Sequence, residues 1–275
     1  MANKKTIELY NGDIKIEFNP GRHTYRILPE KNYLCSTTAA TGVVDKSRPL
    51  MKWAVRTDFS KIREDLEKVE GEKVFRAEIE QIVDEAEGYH NKKKDKAASI
   101  GDMVHDYAEA FAAWKVGEGE EPEIPNDEKA LNGIEAFLEW YNNNDVEFKK
   151  YEKVVYSKEY DYVGTFDTVA EVNGELCLID YKTSSGVYSS HYYQAAAYFG
   201  AYNEEMEEIG EDKAEKALIL HFNKGKGEDD PNAGEFDSIE IPEEEREKDF
   251  QAYVHALNLK RREKERQKIW RKKNK

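Results

Sequence analysis

The order of periodicities along the chain predicts an α/β fold, a mixed central sheet flanked by helices, with a helical elaboration near the N-terminus. Three observations carry this expectation. Three strand-like runs follow one another at YEKVVYS, YVGTFDTVAEV and ELCLIDYKT. Helical spacing precedes them in ALNGIEAFLEWYNNN and follows them in SSHYYQAAAYFGAYNEEM. Two further strand-like runs, ALILHF and FDSIEI, then lead into a final helix over roughly 243–270.

Each element has a local reason. IELY and IKIEF alternate, NPGRH is a turn and HTYRIL is another β run, so residues 6–35 read as short strands. A helix starts near Pro49-Leu50-Met51-Lys52-Trp53-Ala54. From about 57 to 96 the apolar residues Ile62, Leu66, Val69, Val74, Ile79, Ile82 and Val83 recur at helical spacing, giving one or two amphipathic helices. The next helix is expected from Ser99, a capping residue, with Asp102 in its first turn. GEGEEPEIPND is a loop, and an asparagine run stops the helix that follows. No linker rich in Pro, Gly or Ser divides the chain. Residues 1–275 therefore read as one domain, with 1–98 an N-terminal β/helical elaboration, 99–242 the core and 243–275 a C-terminal helix with a basic tail.

Bulk properties narrow the class. Hydrophobic residues make up 39% and charged residues 36%, and no apolar run has the roughly 18–20 residues of a membrane span. The start, MANKKTIELYNGDIKIEF, lacks a signal-peptide apolar region, so an intracellular, cytoplasmic protein is expected. Cys35 and Cys177 stand far apart, which excludes a four-cysteine zinc or iron–sulfur site from this chain alone. A net charge of −15 argues against binding nucleic acid by bulk electrostatics, though not against reaching phosphates through a metal and a local basic strip. LKRREKERQKIWRKKNK supplies such a strip, either as a solvated helix end or as a phosphate-tracking arm.

The chemistry gathers around one hairpin. Asn173-Gly174 between two β runs suits a type I′ turn, whose central residues both need positive φ. If Val172 faces Glu175, Asp167 falls opposite Asp180 and Thr165 opposite Lys182, with Asp167, Asp180 and Lys182 on one face. Opposed carboxylates repel unless a cation lies between them, and a hard divalent ion such as Mg2+ or Mn2+ suits their oxygens. The plainer alternative is a solvated sheet face. Val163, Phe166 and Val169 on one strand and Leu176, Leu178 and Ile179 on the other argue against it, because they put apolar residues on both faces.

GTFD, twelve residues, and then D-Y-K-T resembles the PD-(D/E)XK nuclease superfamily, specifically its RecB-like branch. That branch also carries a G-x-x-x-H-x-x-x-E helix upstream and a Q-x-x-x-Y helix downstream. Gly101, His105 and Glu109 supply the first, Gln194 and Tyr198 the second. HTYRI…STTAATGVVDKSRPLMKWA is further similar to phage exonucleases and the mitochondrial genome maintenance exonuclease type. The resemblance spans roughly residues 20–200. Two details depart from the general pattern: no proline precedes Asp167, and Asp180 stands in place of Glu.

The resemblance implies a restriction-endonuclease-like core and a metal-dependent DNA exonuclease. His105, Asp167, Asp180 and the Tyr181 carbonyl would hold one or two Mg2+ or Mn2+ ions, without an iron–sulfur cluster. Lys182 would position or help deprotonate the attacking water. Gln194 and Tyr198, one helical turn apart, would orient Lys182 or the phosphate, against ordinary helix packing as the alternative. Glu109 and Glu152 either approach the metal site or are solvated. Ser36, Thr37, Thr38, Lys52 and Trp53 are candidate DNA contacts. The remaining histidines, His23, His90, His191, His221 and His255, are expected to be incidental. The implied setting is phage or bacterial replication, recombination or repair, with DNA ends as substrate, single strands preferred, and a recombination or replication protein as partner. An endonuclease and an inactive nuclease-derived binding module are the competing readings.

Overall fold

The computed structural model describes residues 4–44, 47–68, 76–222 and 235–274. Val69 and Val74, counted above among the helical apolar positions, lie outside the described residues. Contacts divide the chain into two compact units, residues 1–44 with 103–275, and residues 45–102.

The larger unit opens with an antiparallel sheet of β1 (Lys5–Leu9), β2 (Ile14–Asn19), β3 (Thr24–Leu28) and β4 (Asn32–Tyr33). β5 (Cys35–Ser36) and α1 (Thr37–Thr41) follow, with the Ser36 hydroxyl accepting the Ala39 N–H as the cap of α1. The smaller unit holds α2 (Ser47–Glu67), α3 (Arg76–Ala86) and the first part of α4 (Tyr89–Lys115). From Met103 onward α4 belongs to the larger unit. There the chain continues through α5 (Glu128–Asn143), β6 (Val146–Ser157), β7 (Tyr162–Val172), β8 (Glu175–Lys182), α6 (Ser189–Ile209), β9 (Lys216–Phe222), β10 (Phe236–Ile241) and α7 (Glu243–Lys273).

One helix boundary differs from expectation. α4 begins at Tyr89, directly after Gly88 at φ 73°, and runs through Ser99 without interruption. The breaker is the glycine; the lysine- and alanine-rich stretch after it contains nothing that stops a helix.

The second sheet runs β10-β9-β8-β7-β5, with β6 on the other edge of β7. β8–β9 and β5–β7 pair in parallel and the remaining neighbours antiparallel, so the sheet is mixed as predicted. One face carries Phe166, Val169 and Leu178 under Ala197 and Tyr202 of α6 and Tyr253 and Leu257 of α7. The other carries Tyr181 and Phe222 against Phe137 of α5, which meets Phe111 of α4. Each such fully buried side chain contributes roughly 1.5–3 kcal/mol. The N-terminal sheet packs Ile16 and Tyr25 onto Val154, Tyr156 and Val163. That contact explains why residues 1–44 belong with the core, although the sequence grouped them with everything up to residue 98.

The hairpin has the expected turn, with Asn173 at φ 54° and Gly174 at φ 84°. Its register runs from Val172↔Glu175 to Thr168↔Ile179, as the turn dictates. Pairing then stops, so Asp167 does not face Asp180, nor Thr165 Lys182, as strand partners. The reason is topological. β6 follows one edge of β7, while the other edge passes from β8, ending at Thr168, to β5, which pairs with Tyr162 and Val163. Residues 164–167, the GTFD segment, lie in the gap between those two partners.

Candidate active site

The gap is where the candidate residues converge. A Cβ on Gly164 would lie 2.4 Å from Tyr198 Cε1 and 2.6 Å from Thr37 Oγ1, so the glycine lets α6 and α1 close onto the strand. Thr37 Oγ1 donates to the Val163 carbonyl at 3.1 Å. Tyr25 OH lies 2.8 Å from Thr165 Oγ1.

Strict alternation along β7 fails at Asp167. Phe166 and Val169 both enter the core under α6, so the two residues between them turn the other way. Asp167 Oδ1 lies 3.5 Å from His105 Nε2 on α4. Thr168 Oγ1 lies 3.1 Å from Tyr181 OH, and the Tyr181 ring stands edge-on to His105 at 5.8 Å. With no strand partner here, the Tyr181 N–H donates to Asp167 Oδ2 at 2.6 Å. On the other edge, pairing passes from Lys153↔Phe166 to Tyr151↔Thr168, and Glu152 between them sits at φ 42°. A left-handed glutamate costs about 1–2 kcal/mol, and local breaks of this kind re-aim side chains beside functional sites.

His105 Nδ1 lies 3.2 Å from Glu109 Oε1, one turn along α4. Asp180 is 1% exposed, with its Oδ2 2.5 Å from Lys182 Nζ. Asp180 and Lys182 thus share a face as predicted, whereas Asp167 is turned to α4. Burial alone would lower the His105 imidazole, but the hydrogen bond and charge of Asp167, with Glu109 beyond, lift it to about 9. Burial raises the Glu109 carboxyl to about 7, with His105 opposing and Asp167 and Glu152 adding to the rise. Burial also raises Asp180 against the charge of Lys182. In Asp167, burial is outweighed by His105 and Lys182, and the carboxyl is lowered.

These groups fit a divalent cation. His105, Glu109 and Asp167 each offer a ligand atom within 4.8 Å of the others. Asp180 Oδ2 is buried and, apart from the charge contact with Lys182, receives no well-angled hydrogen bond. Glu109 and Asp180 are raised by burial, and the buried Asp180 oxygen has only the Lys182 ammonium beside it, which leaves the site able to accept a further positive charge. The donor set, oxygens with one imidazole, suits Mg2+ or Mn2+.

A cavity of about 190 Å³ opens at this cluster, lined by Ser36, Thr37, Thr38, His105, Asp167 and Tyr198. Glu109, Glu152, Thr165, Tyr25 and His23 complete the lining. Gln194 donates to Thr41 Oγ1 at 3.1 Å, tying α6 to α1. Lys52 and Trp53 lie in the smaller unit, where Trp53 stands edge-on to His90 at 6.3 Å. Sequence reasoning underweighted Glu109, whose i+4 spacing from His105 was the available signal. It also set His23 aside; the packing that brings β3 beside β7 is long-range and leaves no mark in local spacing.

Residues 73–273 match the family model of the PD-(D/E)XK nuclease superfamily. No curated protein matches the chain. A mixed sheet flanked by helices, with D…DxK on adjacent strands, and a match over well over half the chain lead to one conclusion: this protein belongs to the PD-(D/E)XK nuclease superfamily.

Proposed function

We propose that this nuclease is a metal-dependent DNA exonuclease of the RecB-like branch. It hydrolyses phosphodiester bonds at DNA ends, with single-stranded ends preferred, in phage or bacterial replication, recombination or repair. One observation carries the reading: His105 and Glu109 from a helix meet Asp167 at the edge of one cavity, and the Lys182 ammonium, set on the buried Asp180 carboxylate, is near enough to act on Asp167 electrostatically. Mg2+ or Mn2+, held by His105, Glu109, Asp167 and Asp180 with the Tyr181 carbonyl, would lower the pKa of a bound water and neutralise charge on the phosphate.

The chain's own groups do the rest. Lys182, its ammonium held by Asp180, orients the attacking water and offsets charge developing on the phosphate oxygens. Asp167 fixes the Tyr181 main chain and faces His105 at once, which sets the geometry of the metal ligands. Tyr198, packed against Gly164, and Gln194, bonded to Thr41, hold α1 and α6 to the strand. The hydroxyls of Ser36 and Thr38 line the cleft as phosphate donors. Lys52 and Trp53 are proposed as further strand contacts.

The test is digestion of end-labelled linear single- and double-stranded DNA beside a closed circular control, with Mg2+, Mn2+ or EDTA. The expected result is metal-dependent loss of linear DNA, fastest for single strands, with circles intact. Cutting of circles would make the enzyme an endonuclease. No cleavage with either metal would remove the activity.

A further inference from the structure

α7 is two helices in one. Its first half is anchored: Tyr253, Val254, Ala256 and Leu257 are buried, in part against Tyr162 and Tyr198. The helix packs on α1 and α6, and α1 carries residues that line the cleft. Arg261 fastens the junction, donating to the carbonyls of Tyr160 and Asp161 at 2.7 and 2.5 Å. From Asn258 to Asn274 no residue is buried, and Trp270 is 67% exposed. At 1.5 Å per residue this half is roughly 24 Å long.

Its charge is opposite to that of the whole molecule. Nine basic and two acidic residues lie between Asn258 and Asn274, in a chain of net charge −15. Lys260 pairs with Glu263, and Arg262 with Glu265. Among the described residues Lys264, Arg266, Lys268, Arg271, Lys272 and Lys273 make no ion pair. Lys260, Lys264, Lys268 and Lys272 stand at i,i+4 spacing, where like charges weaken a helix. The helix dipole accounts for basic residues in the last turn, not for four turns of them. A polyanion lying along the helix relieves the repulsion, and Trp270 offers a face on which a base can stack.

We propose that the exposed half of α7 binds the backbone of the nucleic-acid substrate, several nucleotides from the point of cleavage. This rests on the nuclease reading and names where an acidic enzyme holds a polyanion. The experiment is fluorescence anisotropy of a labelled single-stranded 30-mer in EDTA, at several salt concentrations. It compares the parent with the triple variant Lys264→Gln, Lys268→Gln, Lys272→Gln and with Trp270→Ala. None of these residues supports the core. The slope of log affinity against log salt should fall by about 2 in the triple variant, at about 0.7 per lost phosphate contact. Trp270→Ala should weaken binding about tenfold with the slope unchanged. In Mg2+, cleavage of a tetramer should be unaffected in all three proteins. An unchanged slope in the triple variant, or equal loss on tetramer and 30-mer, overturns the proposal, whether the tail is merely solvated or serves an acidic protein. Because binding is read without metal, its outcome stands apart from the cleavage test.

Discussion

The two units of this protein use the same helical periodicity to opposite ends. In residues 1–44 and 103–275, apolar stripes meet a sheet, and Phe137, Phe166, Tyr181 and Leu178 are essentially removed from water. In residues 45–102, only Ala86 and Gly101 are buried among the described side chains and backbone positions, while Leu50, Met51, Val55 and Phe59 are exposed. Its helices rely on local pairs such as Lys61–Asp65 and Lys68–Glu64, and on Asp58, which accepts the His90 N–H at 2.9 Å. Pairs one helical turn apart contribute a few tenths of a kcal/mol each, whereas one buried aromatic contributes several times that. The clustered ionisable groups all lie in the better-buried unit, where a cation site can be held rigidly.

The contrast can be broken most sharply by hydrogen exchange. Amides of β7 and β8 should exchange about a thousandfold or more slowly than those of α2 and α3. Similar protection in both would erase the distinction. Next in size is side-chain truncation read by denaturant unfolding. Phe137→Ala, inside a cluster with Phe111, Tyr181 and Phe222, should cost about 3–5 kcal/mol, whereas Phe59→Ala, 65% exposed, should stay within about 0.5 kcal/mol. Equal costs would mean that Phe59 is covered in solution. Gly164→Ala should cost about 1–3 kcal/mol, since its methyl meets Tyr198 and Thr37 and neither can retreat without opening α6 or α1. A Gly164→Ala protein as stable as the parent would show that this close approach is loose. The smallest effect is expected from Asp58→Ala, about 1 kcal/mol, seen as faster exchange near His90 with β7 and β8 unchanged. Uniformly faster exchange would show that the two units unfold together.

What was legible in the sequence was local. The Asn173-Gly174 turn set the register through Thr168↔Ile179, and strand-like runs bounded by turns located β7, β8 and β10. The D…DxK spacing pointed to Asp167, Asp180 and Lys182. What could not be read depended on distant partners. Whether β7 keeps β8 beyond Thr168 depends on β5, well over a hundred residues upstream, and that exchange ends the ladder just before Asp167. Opposition of Asp167 and Asp180 was therefore expected, and a turned Asp167 facing His105 was found. Extrapolating alternation through a topological switch overlooks that a strand with one edge unpaired is free to re-aim its side chains there. The same long-range packing brings Tyr25 and His23 to the cavity from the N-terminal sheet.

The most direct measurement is Mg2+-dependent cleavage of an end-labelled single strand by the parent and by Asp180→Asn, with thermal unfolding of both proteins alongside. If Asp180 serves the metal and Lys182, the variant should retain its fold and lose about a thousandfold or more in rate. Cleavage at the parental rate by a folded Asp180→Asn protein would contradict the site.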